Sequence, residues 1–271
     1  MKLDKYISKE VCVVLPQDTV AHVRNLFLKK KISCVLVYDK KPIGIITEKE
    51  LADAFVKERR SIDQILAKEI TNKDFLKIHP EASVGEIAKL MISKKGSHVV
   101  LVRNDDIYGI ITKTDLVRYF AENLKDKVFV ENLMTEKVET ITEMHSLFQA
   151  AKRMREKGIE KLVVVDGKKP VGIVSQRDIS LASLGLYPSK VILIRKAGDK
   201  IHHHEKIMPA IVADIMKTNV ETITKDEDCA EAAKKMLDKR IGSLIVADSN
   251  GYLQGIITKT DLVRWMAENC K

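Results

Sequence analysis

The hydrophobic and polar positions of this chain repeat one order of elements four times. Each time an extended run is followed by an amphipathic helix, an apolar strand, a polar turn, a second apolar strand and a closing helix. In the first repeat the predicted helix spans 19–30, because Val20, Val23 and Phe27 recur at helical spacing. The apolar run 34–38, which contains two valines and a tyrosine, then predicts the first core strand. The pattern indicates an α+β protein built of β-α-β-β-α repeats.

The other three repeats follow the same order, with predicted helices at 84–95, 147–157 and 229–240. A longer gap separates the last two repeats, which predicts an insertion with a short strand at 191–194. The predicted domains are 1–60, 61–125, 126–184 and 211–271, with the insertion at 185–210. Self-similarity at a fixed period makes this a repeat protein.

A shared motif closes each repeat: glycine, two apolar residues, then Thr or Ser followed three residues later by an acid. The decapeptide Gly-Ile-Ile-Thr-Lys-Thr-Asp-Leu-Val-Arg occurs unchanged at 109–118 and 255–264. Looser copies stand at 44–50, which ends in Glu50, and at 172–178. The identical pair falls in repeats two and four, which indicates that a two-repeat unit was duplicated.

Two interpretations of this motif stay open at the sequence level. A hydroxyl three residues before an acid, as in Thr112 and Asp115, is typical of a capped helix start. The same helix N-terminus also suits a phosphate, and a carboxylate can accept both hydroxyls of a ribose diol. Spacing alone does not separate a cap from a nucleotide site.

Composition narrows the functional classes. Aromatic residues make up 5%, so the core is expected to be mainly Ile, Val and Leu, and the net charge of +9 is spread along the chain. That surplus fits anionic small molecules, weak nucleic-acid contact or a solvated Lys/Glu surface, and the Lys, Glu and Ile content resembles that of heat-adapted, archaeal proteins. The four cysteines lack metal or disulfide spacing, and no signal segment or membrane-length apolar run occurs. We therefore expect a cytoplasmic protein.

Catalysis is not expected, because the chain has no P-loop, no Gly-x-Ser-x-Gly and no metal-ligand pair at catalytic spacing. The insertion holds His202, His203 and His204, which are weak metal candidates, since adjacent side chains point in different directions. An exposed loop is the favoured interpretation of these histidines, and a phosphate contact at the module interface is the alternative.

The four repeats and their closing motif resemble the cystathionine-β-synthase (CBS) domain family. The resemblance implies that repeats pair into two Bateman modules, which four-repeat members such as the γ subunit of AMP-activated protein kinase place together as a flat disc. It also implies a regulatory, energy-sensing protein without catalysis or a required cofactor. The implied ligands are AMP, ADP or ATP, with S-adenosylmethionine, methylthioadenosine or NAD as alternatives, and the implied partners are an effector protein and, through the modules, a second copy.

The resemblance also implies roles for individual residues. A ribose diol would be held by Asp115, Asp178 and Asp261. Phosphate or ribose would contact Thr112, Ser175 and Thr258, and adenine would meet the backbone around Thr140 and Thr222. His98 and Lys161, just before the first core strands, would reach phosphates.

Repeat one departs from the family pattern, because Glu50 replaces the aspartate and carries its carboxylate about 1.5 Å further from the backbone. We expect its site to be structural or empty and sites three and four to be the best candidates, since only those repeats have Thr-Ile-Thr lead-in runs. The alternatives are a scaffold with degenerate sites and a nucleic-acid binder, although no helix-turn-helix, zinc or aromatic-stacking motif supports the latter.

Overall fold

The computed structural model describes residues 3–30, 32–57, 60, 62–104, 106–183 and 211–271. The chain divides into two compact units. The first unit contains Met1–Leu51, Arg59–Lys137 and Glu221–Lys271, and the second contains Ala52–Glu58 and Val138–Val220. Repeats one, two and four therefore belong largely to the first unit and repeat three to the second. The predicted strand at 191–194 and the three histidines of the insertion lie outside the described residues.

Repeats one and two show the predicted order of elements. Repeat one contains β1 (Val13–Val14), α1 (Val20–Lys30), β2 (Cys34–Asp39), β3 (Lys41–Thr47) and α2 (Glu48–Lys57). A short helix, α3 (Ala67–Ile70), leads into repeat two. Repeat two contains β4 (Leu76–Ile78), α4 (Val84–Ser93), β5 (His98–Arg103), β6 (Asp106–Thr112) and α5 (Lys113–Asn123).

Repeats three and four have the same order. The short helix α6 (Val130–Leu133) precedes β7 (Thr140–Ile141), α7 (Leu147–Lys157), β8 (Lys161–Asp166), β9 (Lys169–Ser175) and α8 (Gln176–Ser183). Repeat four contains β10 (Thr222–Ile223), α9 (Cys229–Asp238), β11 (Ser243–Ala247), β12 (Leu253–Thr258) and α10 (Lys259–Asn269). Each repeat forms a three-stranded sheet in which the lead-in strand runs parallel to the first core strand and the two core strands are antiparallel. The predicted α+β class with four repeats is confirmed. The exact domain boundaries stay a prediction.

The core strands read as continuous apolar runs because both faces of each sheet are buried. In repeat one, Val35 and Val37 pack against the helices of the same repeat, whereas Leu36 points to the opposite face. There Leu36 joins Val100 of β5 and Ile110 of β6 in a separate apolar cluster. The sheets of repeats one and two therefore pack face to face.

Repeats two and four pack through their helices instead. Helices α4 and α5 contact α9 and α10, and one apolar core runs through all four helices. The rings of Phe120 and Trp265 meet edge to face across this boundary, with centroids 5.5 Å apart. A Cβ added to Gly85 would lie 2.0 Å from the carbonyl oxygen of Cys270, so glycine is what lets the end of α10 lie against α4.

The motif glycines allow a second segment of backbone to lie directly against the strand, which the sequence pattern does not predict. In each repeat, a segment from elsewhere in the chain crosses the second core strand and forms an isolated β-bridge with the residue after the motif glycine. A Cβ added to that glycine would lie 2.7–3.3 Å from a carbonyl oxygen of this crossing segment. The four glycines and the residues that supply this oxygen are Gly44 with Asn72, Gly109 with Ser8, Gly172 with Lys217, and Gly255 with Thr135.

These crossings exchange the lead-in segments between repeats. The segment that leads into β4 of repeat two crosses repeat one, and the segment that leads into β1 of repeat one crosses repeat two. In the second unit, the segment that leads into β10 crosses repeat three; in the first unit, the segment that leads into β7 crosses repeat four. Within the first unit, this exchange joins repeat one to repeat two, as expected for a module of two repeats. In the described ranges, every helix is too short or too polar to cross a bilayer.

Candidate functional site

The strand-to-helix junction of repeat two is closed by Thr112 and Asp115. The backbone N–H and the hydroxyl of Thr112 both donate to Asp115 Oδ2, at 2.9 and 2.7 Å, and the N–H of Asp115 donates back to Thr112 Oγ1 at 3.4 Å. Asp115 is buried. This is a capping box, so the motif does cap the helix.

Repeat four reproduces this junction. The N–H and hydroxyl of Thr258 donate to Asp261 Oδ2 at 2.9 and 2.7 Å, and Asp261 is equally buried. The two copies of the decapeptide therefore share the donation from threonine to aspartate, whereas the return hydrogen bond from the aspartate N–H is present at Thr112 and absent at Thr258.

In repeat three the same box is made by Ser175 and Asp178. The N–H and hydroxyl of Ser175 donate to Asp178 Oδ2 at 3.0 and 2.5 Å, and Asp178 is the most buried motif acid, with 4% of its surface exposed. Lys217, from the crossing segment, places its Nζ 3.6 Å from Asp178 Oδ1. No local sequence pattern indicates Lys217 as a partner, because it lies far from Asp178 along the chain.

Glu50 closes the corresponding box in repeat one. Its Oε2 accepts the N–H of Thr47 at 3.0 Å and the Thr47 hydroxyl, and its Oε1 accepts from Asn72 Nδ2 at 3.5 Å. The longer side chain thus reaches the same backbone position as the aspartates. That the first site is structural or empty stays a prediction.

The outer carboxylate oxygens of repeats two and four each have an arginine partner that the sequence analysis missed. Arg118 Nη1 donates to Asp115 Oδ1 at 2.9 Å, and Arg264 Nη1 donates to Asp261 Oδ1 at 2.8 Å. The available signal was the arginine that ends the decapeptide, three residues after the aspartate and hence on the same helix face.

Each motif hydroxyl also lies beside the first residue of the first core strand. The register pairs are Cys34 with Thr47, His98 with Thr112, Lys161 with Ser175, and Ser243 with Thr258. The structure therefore brings the predicted phosphate residues His98 and Lys161 next to the predicted Thr112 and Ser175.

His98 links repeats one and two. Its Nε2 lies 2.8 Å from Ser33 Oγ of repeat one, and its Nδ1 lies 2.9 Å from Ser97 Oγ. Burial lowers the pKa of His98 to about 4, although the carboxylates of Glu50 and Asp115 act in the opposite direction. The ring is therefore neutral at physiological pH, and both motif acids of this pair of repeats lie within its electrostatic reach.

The neighbouring thiol of Cys34 is unreactive. Burial raises its pKa to about 12, and the charge of Asp115 adds to the effect. The thiolate needed for nucleophilic chemistry does not form at neutral pH.

Reciprocal lysine contacts join the junctions of repeats two and four. Lys113 Nζ lies 3.2 Å from Thr260 Oγ1, and Lys259 Nζ lies 3.0 Å from Thr114 Oγ1. Burial lowers the pKa of Lys259, and the carboxylate of Asp115 opposes that shift. A lysine of repeat four therefore lies within the electrostatic field of the motif acid of repeat two.

The predicted lead-in residues Thr140 and Thr222 have their carbonyls engaged. Arg153 Nη1 donates to the carbonyl of Thr140 at 2.5 Å, and Lys235 Nζ donates to that of Thr222 at 2.6 Å. The two lead-in strands are thus held to the following helix by a basic side chain in the same way. His202, His203 and His204 cannot be placed, because they lie outside the described residues.

The CBS domain family model matches this chain at residues 3–57, 67–122, 130–185 and 212–268. The four matched ranges coincide with the four repeats of the structure, each with one junction of the kind just described.

Relatives and solved structures are similar over nearly the full length. Protein MJ1225 of Methanocaldococcus jannaschii is 22% identical over 96% of each chain. Its crystal structure, described as that of a candidate archaeal homologue of γ-AMPK, matches with a TM-score of 0.77 at 21% identity, covering 97% of this chain and 99% of that one. A structure from Pyrococcus horikoshii matches at 0.66 and 23% identity, covering 96% and 97%. A 33.4 kDa protein encoded in the ribosomal RNA operon of Thermofilum pendens is 26% identical over 93% of this chain and 87% of its own length.

Proposed function

The chain belongs to the CBS domain family, and on this premise we propose that it is a regulatory protein without catalysis that binds adenosine-containing ligands. AMP, ADP and ATP are the foremost candidates. One observation carries the proposal. In three repeats a buried aspartate stands at a helix N-terminus, where one carboxylate oxygen accepts the hydrogen bonds of the cap and the other faces outward, towards a basic side chain.

The chemistry of the junction suits both ends of a nucleotide. The outer oxygen can accept hydroxyls of a ribose, and the first turns of α5, α8 and α10 offer backbone N–H groups to a phosphate. His98 and Lys161, beside the motif hydroxyls, add polar groups at the same edge of the sheet. A cap and a ligand site are compatible, because they use different oxygens of one carboxylate.

Signalling would follow from the packing of repeats two and four. The Lys113–Thr260 and Lys259–Thr114 contacts connect the two junctions directly. A ligand that favours one position of α5 would therefore bias α10, shifting an equilibrium that an effector protein can recognise.

Isothermal titration calorimetry of the full chain tests the proposal with AMP, ADP, ATP, S-adenosylmethionine, methylthioadenosine and NAD. We expect binding of at least one ligand, weakened at least about tenfold by Asp178→Asn or Asp261→Asn, because an amide offers one acceptor oxygen in place of two. Asp228→Asn is the matched control, since Asp228 caps α9 outside any motif. Absence of heat with every adenosine compound would contradict the proposal.

A structural role with degenerate sites is the second candidate, and the caps favour it. In all four repeats the motif acid accepts the N–H of the Thr or Ser that starts the helix. On this alternative Asp261→Ala lowers the free energy of unfolding by about 1 kcal/mol and changes no binding property. Chemical denaturation of this variant, compared with the exposed Glu268→Ala on the same helix, measures the cap separately from the ligand.

A further inference from the structure

We propose that Arg118 and Arg264 are positioning residues that weaken ribose binding in repeats two and four relative to repeat three. They do so by occupying the carboxylate oxygen that a ribose diol requires. This inference rests on the proposed function and concerns how affinity is distributed among its sites.

The count of acceptor positions gives the physical reason. A carboxylate oxygen has about two lone-pair positions, and Asp115 Oδ2 already accepts two donors from Thr112. Oδ1 accepts one donor from Arg118 at 2.9 Å. One acceptor position is therefore left for a diol that presents two hydroxyl donors, and the same count holds for Asp261 with Arg264.

Repeat three supplies the contrast within the same chain. The position three residues after Asp178 is Leu181 in the sequence, which has no donor group. Lys217 Nζ stands 3.6 Å from Asp178 Oδ1, beyond hydrogen-bond distance. Among the described residues, no hydrogen-bond donor occupies this outer oxygen. Both of its acceptor positions are open to the diol in that part of the chain, and we expect repeat three to bind the ribose most tightly.

The arginines can be displaced at a modest cost. Their side chains are 46% and 52% exposed, and an exposed ion pair of this kind changes an equilibrium by up to about fivefold. Competition of this size adjusts an affinity without abolishing a site.

The experiment compares adenosine with 2′-deoxyadenosine, which lack a phosphate and differ by one hydroxyl of the diol. The proteins are full-length Asp178→Asn, which silences repeat three, and the same protein with Arg118→Met and Arg264→Met added. Methionine keeps an apolar stem and removes the donor. We expect the two additional substitutions to raise adenosine affinity about two- to fivefold and to leave 2′-deoxyadenosine affinity nearly unchanged. Lys125→Met together with Lys137→Met, both at exposed positions, removes the same two charges and is expected to have no effect.

Two outcomes would overturn the inference, and they can be told apart. If the methionine variants bind adenosine no better while Asp115→Asn and Asp261→Asn abolish binding, the sites exist but the arginines do not compete for them. If the wild-type chain and every variant fail to bind adenosine, the proposed function fails and this inference fails with it.

Discussion

At the scale of single residues, burial and hydrogen bonding decide what each motif group can do. Asp115, Asp178 and Asp261 are buried, yet each has an ionic partner within 4 Å of its outer oxygen. Among the described residues, His98 has no ion-pair partner of this kind; serine hydroxyls contact both ring nitrogens. A half-buried imidazole between two hydroxyls is satisfied when neutral, because one nitrogen donates and the other accepts.

His98 is expected to make stability depend on pH. Its pKa is about 4 in the folded protein, chiefly because of burial, and about 6.5 when unfolded. The folded state therefore resists protonation, so the stabilisation is fully present above about pH 6.5 and is lost as the pH falls from there towards 4. Urea unfolding at pH 7, 5.5 and 4.5 should show a loss of about 1–3 kcal/mol that His98→Gln does not show.

The control for His98 is an exposed histidine. His22 lies exposed on α1, and His22→Gln should leave the pH dependence of unfolding unchanged. Equal pH slopes for the wild-type chain and His98→Gln would show that the ring of His98 does not couple to folding in this range.

At the scale of elements, the ends of the helices after the lead-in strands differ from the sequence prediction for a clear reason. Helices α4 and α9 end at Ser93 and Asp238, two residues before the predicted ends. Lys95 and Arg240 adopt a left-handed backbone, with φ of 51° and 53°, which cannot continue a right-handed helix. Repeat three places Gly158, with φ of 64°, at this turn. Pattern reasoning recognises glycine as a helix stop but not lysine or arginine.

Substitutions at the left-handed positions Arg240 and Gly158 should change the free energy of unfolding in opposite directions. Arg240→Gly should raise the free energy of unfolding by up to about 1 kcal/mol, because a left-handed conformation strains a residue with a Cβ. Gly158→Ala should lower it by about 1 kcal/mol, and no steric term complicates this, because an added Cβ meets nothing within 4 Å. Equilibrium denaturation measures both variants. A loss of stability in Arg240→Gly would contradict the strain argument.

Much of each element was predictable from the sequence, because the information is local. The strands, the helix starts and the Thr112–Asp115 box depend on residues within one turn or one strand. The crossing of Gly109 by Ser8 and the approach of Lys217 to Asp178 depend on contacts between distant segments. The periodicity within one repeat contains no information about contacts with distant segments. The role of the motif glycines and the partner of Asp178 therefore could not be predicted from the sequence.

At the scale of the whole molecule, the exchanged lead-in segments make each repeat depend on residues that precede another repeat. Tyr6 precedes the first strand of repeat one but lies in the core cluster of repeat two; its hydroxyl donates to Glu122 and accepts from Asn123 at the end of α5. Ile65 precedes repeat two but lies in the core of repeat one, where its carbonyl accepts the N–H of Val20. Stability is therefore shared within the pair rather than held repeat by repeat.

This dependence predicts that a substitution acts on the neighbouring repeat. Tyr6→Ala and Ile65→Ala each remove a side chain that is less than 4% exposed, so each should cost about 2–5 kcal/mol. Hydrogen exchange localises the effect: Tyr6→Ala should speed exchange most in β6 and α5, and Ile65→Ala should do so in α1 and β3. If each substitution instead loosened only the repeat that follows it in sequence, the exchange of segments would not govern stability. Leu28→Ala, which truncates a side chain that is 63% exposed, should alter exchange in neither repeat and provides the baseline for both comparisons.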